Sequence, residues 1–194
     1  MATIAGGSIS SISGGKFANG AVTAAMSYAF GEIAQRNSSS DPNEFFEHST
    51  ETEIGRPPVP SEMPPEVAEV LGDILKSPLG SKIRSSVHAT GEKVKLALTV
   101  DAGHAFQVSP DGIIFYHPDI EAWRAWRTFA QPPPDANLGS LIAHEIGHTL
   151  TIRHGPVMGR MAEEIHVTRN FENVYRAHAG MQRRCTYATR GDVC

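Results

Sequence analysis

The chain has 194 residues, 40% of them hydrophobic, which suffices for one domain of ordinary size with additional segments. A formal net charge of −4 argues against a protein that binds nucleic acid through electrostatic attraction to phosphates. There is no run of about 18 uninterrupted apolar residues, so we expect no stable membrane span. The two cysteines, Cys185 and Cys194, are too few for a disulfide framework, and we expect both thiols to be reduced.

Residues 1–36 are small and glycine-rich and carry charge only at Lys16, Glu32 and Arg36. Such a composition predicts a flexible segment that cannot form a core of its own. The segment does not match a secretory signal peptide, because it lacks a basic amino-terminal region and its apolar run is interrupted at Lys16 and Asn19.

Part of this segment, GGKFANGAVTAAMSYAFGE, resembles the junction that precedes the variable C-terminal toxin domains of Rhs-type polymorphic toxins. The resemblance implies a secreted bacterial effector that is released from, or derived from, a larger carrier. It also implies two partners, the secretion carrier and a cognate immunity protein. The alternative is a generic Gly/Ala-rich linker.

Residues 37–64 are polar, acidic and proline-rich, which indicates a partly disordered linker. Residues 65–194 would then form the folded domain. We therefore expect residues 1–60 to be dispensable for catalysis.

The first elements of the predicted domain follow from hydrophobic periodicity. The stretch PEVAEVLGDILKSP has apolar residues at helical spacing, begins near Pro65 and is followed by Pro78, which predicts one helix. In KVKLALTV, alternating apolar residues predict a strand. AFQVS and IIFYH flank the turn sequence Pro110-Asp111-Gly112 and predict a β-hairpin.

Helices dominate the second half of the domain. DIEAWRAWRTFA predicts a short helix that ends at three consecutive prolines. Asp135 or Asn137 would cap a helix that runs to about His154, and a last helix would cover residues 160–178 and stop before Gly180. A helix, three strands and further helices indicate an α+β fold with a small antiparallel sheet.

The helix predicted around residues 138–154 carries the motif His-Glu-x-x-His at His144, Glu145 and His148. The two histidines are four residues apart, which places them about 40° apart on one helical face, so their nitrogens can bind one tetrahedral zinc ion. Glu145 lies about 100° round the helix, beside the metal, where a general base could accept a proton from water.

His154 is one candidate for a third ligand, because it stands ten residues after His144, as in the metzincin pattern. That pattern needs a glycine where this chain has Thr151, and β-branched residues disfavour positive φ. On an unbroken helix, His154 points away from His148. We interpret His154 as a C-terminal helix residue that interacts favourably with the helix dipole when protonated.

Glu164 is the better candidate, because it lies within the apolar face of the last helix, whereas Glu163 is expected to face solvent. That apolar face comprises Met161, Ile165, Thr168, Phe171 and Tyr175. A carboxylate on such a face is costly unless it binds something, and a metal ion compensates it. We predict one zinc ion per chain, held by His144, His148 and Glu164, with an open position for water.

The stretch EIHVTRNFENVYRAHAGMQRRCTY is similar to the C-terminal half of the NleD-type effector metallopeptidases, in which a Glu precedes an E-N-x-x-R-x-x-x-G-x-x-x-R-x-x-Y block. The matching residues are Glu164, Glu172, Asn173, Arg176, Gly180, Arg184 and Tyr187. The chain departs from the family at Val167, Thr168 and Arg169, where small hydrophobic and glycine residues are usual, and in the short segment between the two helices.

This second resemblance implies a zincin-like fold and an endopeptidase that cleaves a protein in the cytoplasm of a host or competitor cell. Tyr187, which closes the family block, is our choice for stabilising the oxyanion, and Tyr175 and His178 are alternatives. We expect Asn173 and Arg176 to hold the C-terminal loop by hydrogen bonds.

Two other functions remain open from the sequence. The metal could be structural, in a non-catalytic binding module, although structural zinc sites are usually closed and cysteine-rich and have no use for Glu145. Alternatively, residues 1–36 could act on membranes while the domain is inert.

Overall fold

The computed structural model describes residues 39–126, 135–154 and 159–184. The chain divides after Ser39, and the unit that begins at Ser40 contains every element described below. Within these ranges, no helix is both long and apolar enough to cross a membrane. The flexible segment predicted at residues 1–36 lies outside the described residues, as do the two cysteines and Tyr187.

Five strands form one mixed sheet in the order β2-β1-β3-β5-β4. The strands are β1 (Phe46–Thr50), β2 (Val59–Pro60), β3 (Val94–Leu98), β4 (Gln107–Val108) and β5 (Ile113–Tyr116). The three central strands run parallel, and only the outer strands β2 and β4 pair antiparallel with their neighbours. The α+β class is therefore confirmed, but the prediction of an antiparallel sheet is wrong for its centre.

The strand β1 comes from the segment that the composition indicated was a linker. It follows a single helical turn, α1 (Pro42–Phe45), and pairs with β3 along its whole length, from Phe46 opposite Val94 to Thr50 opposite Leu98. Phe45 and Phe46 are only 1% and 2% exposed. The linker interpretation of residues 37–64 is thus wrong for α1, β1 and β2. Phe45 and Phe46 belong to the core although the residues around them in the sequence are polar.

Two helices connect β1 to β3, namely α2 (Pro65–Lys76) and α3 (Pro78–Thr90). The sequence predicted α2, but Pro78 was interpreted as the end of a helix and not as the start of another. Ser77 ends α2, and its Oγ accepts a hydrogen bond from the backbone N–H of Leu79 at 3.2 Å. One residue therefore separates the helices and caps the second.

The predicted hairpin is confirmed, with Gln107 opposite Phe115 and Val108 opposite Ile114. A 3₁₀ turn (Ala102–His104) links β3 to β4, and Gly112 has a φ of 73° in the hairpin turn. This positive φ explains why glycine occupies the position. The short helix predicted after the hairpin is α4 (Ile120–Trp126).

Most residues of the long helix α5 (Leu138–His154) are buried. Asn137 caps it reciprocally with Ser140, because the Asn137 side chain accepts from the Ser140 N–H at 2.8 Å and the Ser140 hydroxyl accepts from the Asn137 N–H at 3.1 Å. Ile142, Ile146 and Leu150 lie in the hydrophobic core, as predicted.

The last predicted helix is present over residues 160–178, but it is not uniform. It consists of α6 (Arg160–Val167), a π turn (Thr168–Glu172) and α7 (Asn173–His178). Gly180 follows with a φ of 68°, which ends the helix as expected. Of the face that the sequence predicted to be buried, Met161 is an exception at 55% exposure.

We predict that a chain beginning at Ser40 folds, whereas a chain beginning at Ser61 does not. The second truncation removes β1 together with Phe45 and Phe46, and each buried Phe is worth about 3–5 kcal/mol. That sum approaches the whole stability of a typical domain, about 5–15 kcal/mol. Thermal unfolding followed by circular dichroism distinguishes the two chains, and a cooperative transition in the shorter one would show that β1 is dispensable.

Candidate metal site

Helices α5 and α6 bring together three side chains that could hold a metal ion. His144 Nε2 lies 3.2 Å from His148 Nε2 and 3.2 Å from Glu164 Oε2, and His148 Nε2 lies 3.4 Å from Glu164 Oε2. His144 and Glu164 are buried, and the His148 side chain is 15% exposed. These three residues are close enough to hold a metal ion.

The triangle of ligand atoms has the size that tetrahedral coordination requires. With bonds of about 2.0–2.1 Å, two ligands of a tetrahedral ion lie about 3.3–3.4 Å apart. The three observed separations, 3.2, 3.2 and 3.4 Å, agree with this value. The three atoms are therefore spaced as the ligands of one tetrahedral ion would be.

The second nitrogen of each histidine contacts a carboxylate. His144 Nδ1 lies 2.9 Å from Glu172 Oε2, and His148 Nδ1 lies 2.8 Å from Glu163 Oε1. Because an ionised carboxylate can only accept, each Nδ1 carries the proton and donates it. In the neutral histidines, both Nε2 atoms are then acceptors that are available to a metal ion.

Three acceptor atoms thus converge on one point, and they repel one another unless a cation or a proton lies between them. Burial opposes the charged form of His144, but hydrogen bonds to Glu164 and Glu172 outweigh burial and raise the pKa of His144 to about 9. Burial likewise opposes ionisation of Glu164, yet hydrogen bonds from His144 and His148 lower its pKa to about 2. A metal ion must therefore displace a proton from His144 at neutral pH.

Gly147, inside the His-Glu-x-x-His motif, allows α5 and the last helix to approach closely. A β-carbon at this position would lie 2.7 Å from Cγ1 of Val167 and 2.9 Å from Cβ of Phe171, which is closer than real contacts allow. The close approach explains how Glu164 and Glu172 reach His144 from the neighbouring helix. Sequence reasoning assigned no role to Gly147.

Glu145 lies beside the three ligands and is not one of them. It is 7% exposed, and its negative charge contributes to raising the pKa of both His144 and His148. The structure therefore brings together the two histidines and Glu164, and Glu145 as a general base stays a prediction.

The structure corrects the prediction for Glu163 and supports the one for His154. Glu163 does not simply face solvent, because its carboxylate accepts the Nδ1–H of His148. His154 is the last residue of α5, and its Nε2 lies 2.9 Å from Ser86 Oγ on α3. His154 is thus directed at α3 and does not join the ligand group.

The two alternatives for the oxyanion donor are engaged elsewhere. The Tyr175 hydroxyl donates to Asp73 Oδ2 on α2 at 3.0 Å, and His178 Nε2 lies 3.4 Å from Asp73 Oδ1. Neither side chain therefore supports an oxyanion role. Tyr187, our first choice, lies outside the described residues.

Asn173 and Arg176 hold the C-terminal segment, as predicted. Asn173 donates to the Arg184 carbonyl at 2.7 Å and accepts from the Arg184 N–H at 2.6 Å. Arg176 donates to the Gln182 carbonyl and, at 2.7 Å, to both carboxylate oxygens of Asp135. These bonds fix residues 182–184 against the last helix.

Glu172 and Arg184 are site residues that sequence reasoning missed. Both stand in the family block, but a regular helical wheel places Glu172 well away from Glu164. No protein-family model, curated protein or solved structure matches the chain. The case for the site therefore rests on its geometry.

Substitution of the candidate ligands should separate their roles. We expect Glu164→Ala to lose its metal during dialysis against a mild chelator, because it removes a ligand atom. Glu163→Ala should bind metal about 10–100-fold more weakly, since only the acceptor of His148 Nδ1–H is lost. His154→Ala should keep its metal. Elemental analysis of each variant checks this order, and metal loss in His154→Ala alone would restore the metzincin pattern.

The pH dependence of stability should differ between the metal-free and metal-loaded protein. Without metal, the raised pKa of His144 stabilises the fold below pH about 6.5, and this contribution is lost as the pH rises to about 9. Metal binding releases that proton, so the stabilisation by metal should grow from pH 6 to pH 9. Melting temperatures of both forms at three pH values test this, and a metal-induced increase that shrinks with pH would contradict it.

Proposed function

We propose that this protein is a zinc-dependent endopeptidase in which Glu145 is the general base. The observation that carries the proposal is the convergence of two Nε2 atoms and one carboxylate oxygen within 3.2–3.4 Å, with Glu145 next to the first ligand in the chain. Two imidazoles and one carboxylate suit zinc, whereas Ca²⁺ and Mg²⁺ prefer oxygen ligands alone.

The same donor set also occurs in iron(II) oxygenases, so the ligands alone do not select hydrolysis. Glu145 supports hydrolysis, because a buried carboxylate next to a candidate ligand in the chain would give a base for activating water. Three protein ligands among the described residues leave a coordination position for water, as in hydrolytic zinc sites. Elemental analysis of the purified protein distinguishes zinc from iron.

The chain's own groups would act in the following order. Bound zinc would supply positive charge that lowers the pKa of water and polarises the scissile carbonyl. Glu145 would accept a proton from the attacking water and return it to the leaving amine. The negative charge that develops on the carbonyl oxygen requires a further donor, and Tyr187 stays our proposal for it.

The sheet offers a way to hold a protein substrate. β4 is an edge strand that packs against α5, and β5 is its strand neighbour in the sheet. The outer side of an edge strand carries backbone groups that can pair with an extended peptide. We propose that the substrate is a protein segment that binds in an extended conformation near α5.

We further propose that the protein is a secreted bacterial effector that acts in the cytoplasm of a host or competitor cell. The resemblance of residues 1–36 to a toxin junction supports this role, as does the similarity of the C-terminal block to NleD-type metallopeptidases. A secretion carrier and an immunity protein would then be its partners.

Glu145→Gln tests the catalytic proposal. The substitution keeps the shape of the side chain but removes the base, so zinc should stay near one per chain while hydrolysis falls by at least about 10²–10⁴-fold. Proteomics of new N-termini in a lysate treated with each protein should find cleavage sites only for the unsubstituted chain.

His154→Ala is the matched control, since it changes a histidine outside the ligand group and should keep full activity. Toxicity on intracellular expression should disappear in Glu145→Gln and remain in His154→Ala. Full toxicity of Glu145→Gln would exclude the endopeptidase as the toxin and would favour an action of residues 1–36 on membranes.

A further inference from the structure

The π turn in the last helix lies between two glutamates that contact the same histidine. The N–H of Asn173 donates to the carbonyl of Thr168, which is the i→i+5 bond of a π-helix. Single π turns of this kind are rare and are often found at functional sites. Glu164 precedes the turn and Glu172 is its last residue.

The turn changes which residues share a helical face. In a regular α-helix, residues eight apart lie about 80° out of alignment. A π turn accommodates one additional residue, so the same two positions come within about 20° of each other. Accordingly, Glu164 Oε2 lies 3.2 Å from Nε2 of His144, and Glu172 Oε2 lies 2.9 Å from Nδ1 of the same ring.

Glu172 is itself held in place. It is 1% exposed, and its Oε2 accepts a hydrogen bond from Nη1 of Arg184 at 3.1 Å. Nη1 of Arg176 lies 3.9 Å from the other carboxylate oxygen. Two guanidinium groups offset the cost of burying this carboxylate, and the two bonds of Asn173 to the Arg184 backbone fix the position of Arg184.

We propose that the π turn sets His144 for metal binding, and that Glu172 and Arg184 are positioning residues of the site. The inference rests on the proposed metal function. The hydrogen bond from His144 Nδ1–H to Glu172 orients the ring and increases the electron density at Nε2, which strengthens a metal bond. Arg184 holds the Glu172 carboxylate in the position where it accepts the His144 Nδ1–H. Residues 182–184 would thus support the metal site without contacting the ion.

Glu172→Gln in the full chain is the main test. We expect its zinc affinity, measured by competition with a chromogenic chelator, to be about 10–100-fold weaker. We also expect the visible absorption bands of the Co²⁺-substituted protein to shift, because the orientation and donor strength of one ligand change. Arg184→Met should weaken zinc binding less, and Arg184→Lys should restore most of it because the positive charge is kept.

Glu51→Gln is the matched control, because Glu51 is another buried carboxylate, 4% exposed, that accepts hydrogen bonds from Thr99 and Gly55. It should leave zinc affinity and the Co²⁺ spectrum unchanged. A Glu172→Gln protein that melts earlier but keeps normal affinity and spectrum would show that Glu172 serves stability alone. If the unsubstituted chain binds neither ion, the proposed metal function itself fails.

Deletion of one residue tests the role of the turn in the helical register. Removing Arg169 should convert the π turn to a regular α-helix and leave Glu172 seven positions after Glu164, which is again about 20° out of alignment. Zinc affinity should then stay within a few-fold of normal. A folded deletion variant that has lost its metal would overturn the register argument. Should the deletion variant not fold, the affinity and spectrum of Glu172→Gln decide.

Discussion

The candidate site depends on holding three acceptor atoms at distances where they repel one another unless a cation or a proton lies between them. Two imidazole nitrogens and a carboxylate oxygen converge within 3.2–3.4 Å, and a cation at their centre turns the repulsion into attraction. The orientation of each imidazole is fixed by its second nitrogen, since each Nδ1–H is bonded to a carboxylate. The distance between the two helices is fixed by Gly147, which leaves no space between α5 and the last helix.

That geometry needs a rigid support, which comes from both ends of the described chain. β1 contributes Phe45 and Phe46 to the core from a segment close to the start of the folded unit. At the other end, Arg176 joins the last helix to Asp135, just before α5 begins. The site is thus built from local motifs, but its precision depends on contacts between residues far apart in sequence.

Sequence alone predicted the parts that depend on local periodicity, namely the motif helix, the hairpin and the last helix. It also predicted that Glu164 lies beside the two histidines. It did not predict β1, because polar residues surround Phe45-Phe46 and parallel pairing is a long-range property. Glu172 was missed because a wheel of constant angle fails beyond Thr168, where the π turn begins. The contact of Glu163 with His148 was missed because the wheel does not record how closely two helices approach.

The tight contact at Gly147 also constrains which other sequences can carry this site. No side chain fits there, so a chain with the same helix packing needs glycine directly before the second histidine, giving His-Glu-x-Gly-His. The last helix adds a second constraint, because Glu164 and Glu172 must both face His144. Such a glutamate pair is eight residues apart where a π turn is present and seven apart where the helix is regular. Together, these two spacings define a search pattern for distant relatives that tolerates one insertion and does not depend on overall sequence identity.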